Sequence, residues 1–162
     1  MTAVLTRELL AIPIPRSERL DVNSGVARLS GVIWATRWSE PDERRDTVVL
    51  IVHPASNFLG HYALAALASR GVDAVGLATR YLGNDSALIM ENCVLDVGAA
   101  ITHLRQLGYE RVVLVGNSGG GGLAALYQSQ AEHPTITTTP AGDPVYLTAA
   151  ALPRADSIVM AM

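Results

Sequence analysis

Three runs of apolar residues without polar alternation mark the middle of the chain: residues 47–52 (Thr47-Val48-Val49-Leu50-Ile51-Val52), 72–77 and 111–115. Continuous, β-branched runs of this length suit strands covered on both faces of a parallel sheet. Between the first two lies an Ala- and Leu-rich stretch, 60–69, of high helical propensity, with Gly71 placed as a left-handed cap. Between the second and third, Met90, Val94, Val97, Ile101 and Leu104 recur at helical spacing up to Gly108, with Asn84-Asp85-Ser86 as N-cap chemistry. After the third run a glycine cluster leads into Leu123–Gln128, again helical. The order βαβαβα predicts right-handed crossovers and a mostly parallel, twisted sheet flanked by helices, an α/β fold.

The flanks are patterned differently. A Pro-containing leader precedes two short apolar runs, Arg19–Val22 and Ala27–Trp38, parted by the turn residues Asn23-Ser24-Gly25, which predicts an antiparallel hairpin. Ser39 to Asp46 is polar or Pro throughout and reads as a solvated loop. From Pro134 to Pro153 the chain is rich in Thr, Pro, Ala and Gly and is expected to be an irregular, cap-like excursion before a last strand at Ser157–Met162. These patterns divide the chain into 1–46 (leader, hairpin and charged loop), 47–133 (the α/β core) and 134–162 (excursion and terminal strand).

Composition narrows the class. The 162 residues are 49% hydrophobic and 17% charged, enough for one sizeable core. A formal charge of -3 offers no basic field for nucleic acid, and the positive residues, all arginine, are dispersed. Cys93 is the one cysteine, so no internal disulfide forms. The N-terminal apolar stretch is too short for a signal h-region or a membrane span, and a cytoplasmic protein is expected.

The candidate chemistry is concentrated in Gly116-Asn117-Ser118-Gly119-Gly120. A serine hydroxyl is a weak nucleophile unless a turn presents it to a base and to oxyanion donors. Ser118 follows a buried strand and precedes a helix, the context that gives meaning to a G-x-S-x-G match, and Gly116 and Gly120 allow the close backbone approach of such an elbow. Gly119 N–H, at the start of the helix, is the first expected oxyanion donor. The second should come from His53-Pro54-Ala55-Ser56 after the preceding strand. Pro54 has no N–H, which leaves Ala55, with Ser56 behind it. A phosphate loop fits poorly, because the chain has no lysine and Ser118 stands where the middle glycine of G-x-G-x-x-G would be.

On these residues, Val48 through Tyr127 resembles the α/β-hydrolase superfamily. His53-Pro54 matches its oxyanion loop and Arg80–Ser86 its arginine-containing loop; a long helix and the nucleophile strand follow. The resemblance implies hydrolysis of an ester, thioester, lactone or amide through an acyl-enzyme at Ser118, with a small ester-like substrate and no cofactor. His53, Ser56, Tyr81 and Tyr146 are candidate pocket residues, and Trp34 and Trp38 are read as packing.

The family order of nucleophile, acid and histidine is not completed. Downstream of Ser118 stand only Glu132, His133, Asp143 and Asp156. His133 lies near the far end of the elbow helix, roughly 20 Å away at ~1.5 Å per residue. Asp143 suits a turn before Pro144, and Asp156 precedes the last strand at the opposite end of the sheet. His53 is read as orienting its loop, while His61 and His103 are read as surface or packing residues. No set has zinc spacing, so no metal is expected. The base and acid are therefore expected from a complementary C-terminal segment or second polypeptide, which would also cover the last strand; a homo-oligomer is compatible with this. The competing readings are a non-catalytic binding or assembly module that keeps the elbow as geometry, and a nucleotide-binding protein.

Overall fold

The computed structural model of the chain describes residues 4–14, 31–41, 43 and 45–161. Its strands are β1 (Thr6–Pro13), β2 (Val32–Ser39), β3 (Thr47–Val52), β4 (Asp73–Ala78), β5 (Arg111–Asn117) and β6 (Ser157–Ala161). The helices are α1 (Ala63–Ala68), α2 (Met90–Gln106) and α3 (Gly120–Glu132). The sheet has six strands in the order β1-β2-β4-β3-β5-β6. β3 pairs in parallel with β4 and β5, and β5 with β6, while β1 and β2 are antiparallel at one edge.

The unbroken apolar character of β3 has the expected cause. Val48, Leu50 and Val52 face the large core beneath α2 and α3, and Val49 and Ile51 face a smaller cluster with Phe58, Leu64 and Ala74 on the α1 side. Each such side chain contributes roughly 1.5–3 kcal/mol relative to exposure. β4 is buried along its whole length for the same reason.

Three expectations are redrawn. The strand that pairs with β2 is Thr6–Pro13, from the leader, in register from Thr6↔Ser39 to Pro13↔Val32. Its buried positions Leu10, Ile12 and Ile14 alternate with exposed Leu9, Ala11 and Pro13, so apolar residues on the outer face hide the period of two. Arg19–Val22 and the Asn23-Ser24-Gly25 turn lie outside the described residues. α1 begins later than expected, after a turn through Gly60 and His61, and Gly71 does hold a positive φ of 80°. Asn84-Asp85-Ser86 does not cap α2. It enters a 3-10 turn, Asp85–Ala87, in which the Ser86 hydroxyl donates to Asn84 Oδ1, and α2 starts beyond Ile89 without a side-chain cap.

The 134–153 excursion is irregular, with an isolated bridge between Thr138 and Pro144. Gln130 Oε1 accepts from the amides of Thr135 and Ile136, and Tyr127 OH donates to Pro153 O (2.5 Å). Val145, Leu147, Leu152 and Ala155 enter the main core, and Ala151 O packs against Gly98 of α2. Its described contacts are thus with the helical layer.

β6 ends the sheet. Its residues 157–160 are exposed even though they pair with β5, and Ile158, Val159 and Met160 are 36%, 46% and 61% exposed. Val159 aligns with Val115, and Val113 and Val115 are only partly buried on the α1 side. An apolar strip therefore runs from β5 onto the free edge.

Candidate active site

The turn from β5 into α3 is a strained elbow. Ser118 has φ 54°, the sole positive φ of a non-glycine residue among the described residues, and it is exposed. A left-handed serine costs of order 1–3 kcal/mol and persists only where its surroundings fix it. Here Ser118 N–H donates to Ala161 O (2.8 Å) and Gly121 N–H to Ser118 O (3.0 Å), tying the turn to β6 on one side and α3 on the other. The flanking glycines are required by space: a Cβ on Gly116 would run into the Gly120 carbonyl, and one on Gly120 into the Val52 carbonyl. The helix axis consequently starts against the end of β3, and the Gly119 amide opens its first turn.

His53 ends β3 beside that turn. Its Nε2 lies 3.0 Å from the position a Cβ on residue 119 would take. On the other side of the ring, Nδ1 accepts the amides of both Ala55 (3.1 Å) and Ser56 (2.9 Å). An Nδ1 that accepts is unprotonated, so in the neutral ring the proton sits on Nε2. Burial lowers the His53 pKa from its ordinary 6.5, which favours this neutral form. The sequence reading of His53 as the group that orients its loop matches these hydrogen bonds. The amide of Ala55, expected as a donor to substrate, is directed at His53 instead, and so is that of Ser56.

The carbonyls of the same loop are held from below. Thr79 Oγ1 donates to Pro54 O (2.5 Å) and Gly83 N–H to Ala55 O (3.3 Å). The segment after β4 that supplies these donors is fixed by a buried ion pair: Asp96 accepts from Arg80 N–H (2.9 Å), Nε (3.0 Å) and Nη2 (2.6 Å). Both side chains are buried, so breaking the pair would strand an uncompensated charge. Tyr81 joins this support as a core residue, 1% exposed, its OH accepting from Asn92 Nδ2 (2.8 Å), so it is packing rather than an open wall. Tyr146, on the excursion, is 71% exposed.

One residue missed in the sequence stands beside the elbow. His61 Nε2 is 3.4 Å from Asn117 Oδ1, and its ring lies between Phe58 (4.7 Å) and Tyr62 (4.4 Å). Gly60 was the available signal, since a helix starting beyond it leaves His61 in the turn above the strand ends. The remaining candidates are remote. His133 follows the last turn of α3, and Asp156 Oδ2 accepts from Val112 N–H (2.7 Å) and Arg105 Nη2 (2.7 Å) where β5 begins. Partial burial opposes ionisation of Asp156, but those two donors outweigh it and hold the carboxyl below its usual 3.8. A polar cavity of about 470 Å³, lined by Arg37, Arg45, Asp73 and Tyr109, also lies at that opposite end. Among the described residues no group of three or more His, Cys, Asp or Glu could hold a metal ion.

No family model and no curated protein matches the chain. Solved structures do. The esterase Est22 superposes with TM-score 0.54 at 20% identity, over 81% of this chain and 40% of that one. A brefeldin A esterase, described as a bacterial homologue of human hormone sensitive lipase, gives 0.54 at 18%, over 79% and 36%. A cold-adapted esterase from an Arctic intertidal metagenomic library gives 0.55 at 16%, over 83% and 58%. The chain has the α/β-hydrolase fold. It spans between about a third and three fifths of the length of these three esterases.

Proposed function

We propose that the protein is a serine hydrolase acting on a carboxylic ester or a related acyl compound, with Ser118 as nucleophile. The observation that carries this reading is the left-handed Ser118 at a glycine-flanked strand-to-helix turn, with an oxyanion loop at the neighbouring strand end. An oxygen developing charge above Ser118 would meet the Gly119 amide, aligned with the α3 dipole. The esterases among its structural neighbours favour ester substrates.

The base comes, on this reading, from a complementary segment. The apolar strip of Val113, Val115 and Val159 and the free edge of β6 suit an added strand with a helix on the α1 side. A segment so placed would run past the elbow and could bring a histidine to Ser118. The test is turnover of short p-nitrophenyl esters by the native preparation, including whatever chain travels with this one. Burst release of nitrophenol, abolished in Ser118→Ala, is expected. Equal turnover by both proteins would refute the nucleophile assignment.

A further inference from the structure

The Ala55 and Ser56 amides converge on one acceptor, and that convergence decides which proton faces the reacting carbonyl. With both amides donating to Nδ1 at 3.1 and 2.9 Å, the neutral His53 ring must carry its proton on Nε2. Among the described residues Nε2 has no hydrogen-bond partner, and it lies 3.0 Å from the Cβ position of residue 119, one bond from the Cα whose amide opens α3. We propose that His53 Nε2–H is the second oxyanion donor, in the place expected for the Ala55 amide, so that the hole is built from Gly119 N–H and an imidazole N–H. His53 is then a catalytic residue that touches the substrate oxygen, and Ala55 and Ser56 act through it by fixing its tautomer and ring orientation.

The surroundings fit this role. The loop that presents the two amides cannot easily shift, because Thr79 and Gly83 hold its carbonyls and the buried Arg80–Asp96 pair holds the segment they come from. Phe58 packs against the His53 ring with centroids 5.4 Å apart and limits its rotation. A donor held in this way needs no reorganisation as charge develops, which is the property that makes oxyanion donors effective. The His53 side chain is half-buried, so part of the ring remains accessible.

This inference rests on Ser118 being the nucleophile, and the test separates the two. An asparagine at position 53 places Oδ1 where Nδ1 stands, so it keeps an acceptor for both loop amides and lacks the distal donor. The rate of fluorophosphonate labelling of Ser118 in the native preparation is measured for wild type, His53→Asn and His53→Phe, since the phosphonyl oxygen enters the same hole. Both variants are expected to label on the order of 100-fold more slowly, the usual loss of one oxyanion donor. Wild-type rates in His53→Asn with slow labelling in His53→Phe would show that only the loop acceptor matters and would overturn the proposal. Absence of labelling in wild type removes the nucleophile reading, and the donor role with it. Nitrogen NMR of the ring gives a readout apart from reactivity: a neutral Nε2–H tautomer is expected, and an Nδ1–H tautomer would contradict it.

Discussion

At the scale of single residues, the site is a matter of which atoms have room and which protons are fixed. Gly120 faces the Val52 carbonyl with no room for a Cβ. Gly120→Ala must push α3 off β3, an overpacking strain of typically ~1–3 kcal/mol. A lower Tm by several degrees is expected for that variant, whereas Gly122→Ala, in the same helix with open space around it, should hold or raise the Tm. His53 contributes a pH dependence on the acid side of neutrality. Its folded pKa is lowered by burial, so the unfolded chain binds more protons below the ordinary 6.5. Stability from this group is therefore complete above about 6.5 and is lost as pH falls through the lower folded value, where protonated Nδ1 would oppose the Ala55 and Ser56 amides. Among the described residues its titratable neighbours are His61, across Phe58, and Cys93, whose thiol reaches the far side of Pro54. Thermal melts of wild type and His53→Asn between neutral and mildly acid pH should diverge, with only the wild type showing this loss. Parallel curves would place the loop's acid sensitivity elsewhere. The glycine-flanked turn at Ser118 was legible in sequence because glycine spacing encodes backbone space directly. The fate of the Ala55 amide was not, since it depends on how one imidazole turns.

At the scale of elements, legibility followed burial on two faces. β3 and β4 were readable as strands because both faces are buried, and β5 because it keeps an apolar run although its α1-side face is only partly covered. β1 was not, because an edge strand tolerates Pro13 and carries apolar Leu9 outward, which makes its alternation look like an irregular leader. α2 was found by its periodic core residues but not by its cap, since the Asn84–Ser86 polar groups serve their own turn. β6 is the edge to which the proposal assigns a covering segment. Val159 stands exposed on the strip shared with Val113 and Val115. Val159→Lys should leave β5 pairing intact and weaken association at this edge, because a charge there must be desolvated by any covering segment. Sedimentation of the native preparation checks it: wild type is expected to migrate with a partner chain or second copy, and the variant as the lone chain. Equal sedimentation would place the contact away from this edge.

At the scale of the whole molecule, the α/β-hydrolase sheet is present from its antiparallel edge to β6, and the chain covers 40% and 36% of Est22 and the brefeldin A esterase. The parts held by this chain are the elbow, the Gly119 amide and the His53 loop, with His133 and Asp156 too remote to act on Ser118. The expectation of an outside histidine came from the family's chain order alone; the apolar strip proposed to receive its carrier required the strand register. The nucleophile assignment is tested most directly by intact mass and peptide mapping of the native preparation after fluorophosphonate treatment. A single adduct on the peptide containing Ser118, absent in Ser118→Ala, is expected. An adduct that persists in Ser118→Ala, or none on a preparation that includes its partner chain, would contradict it.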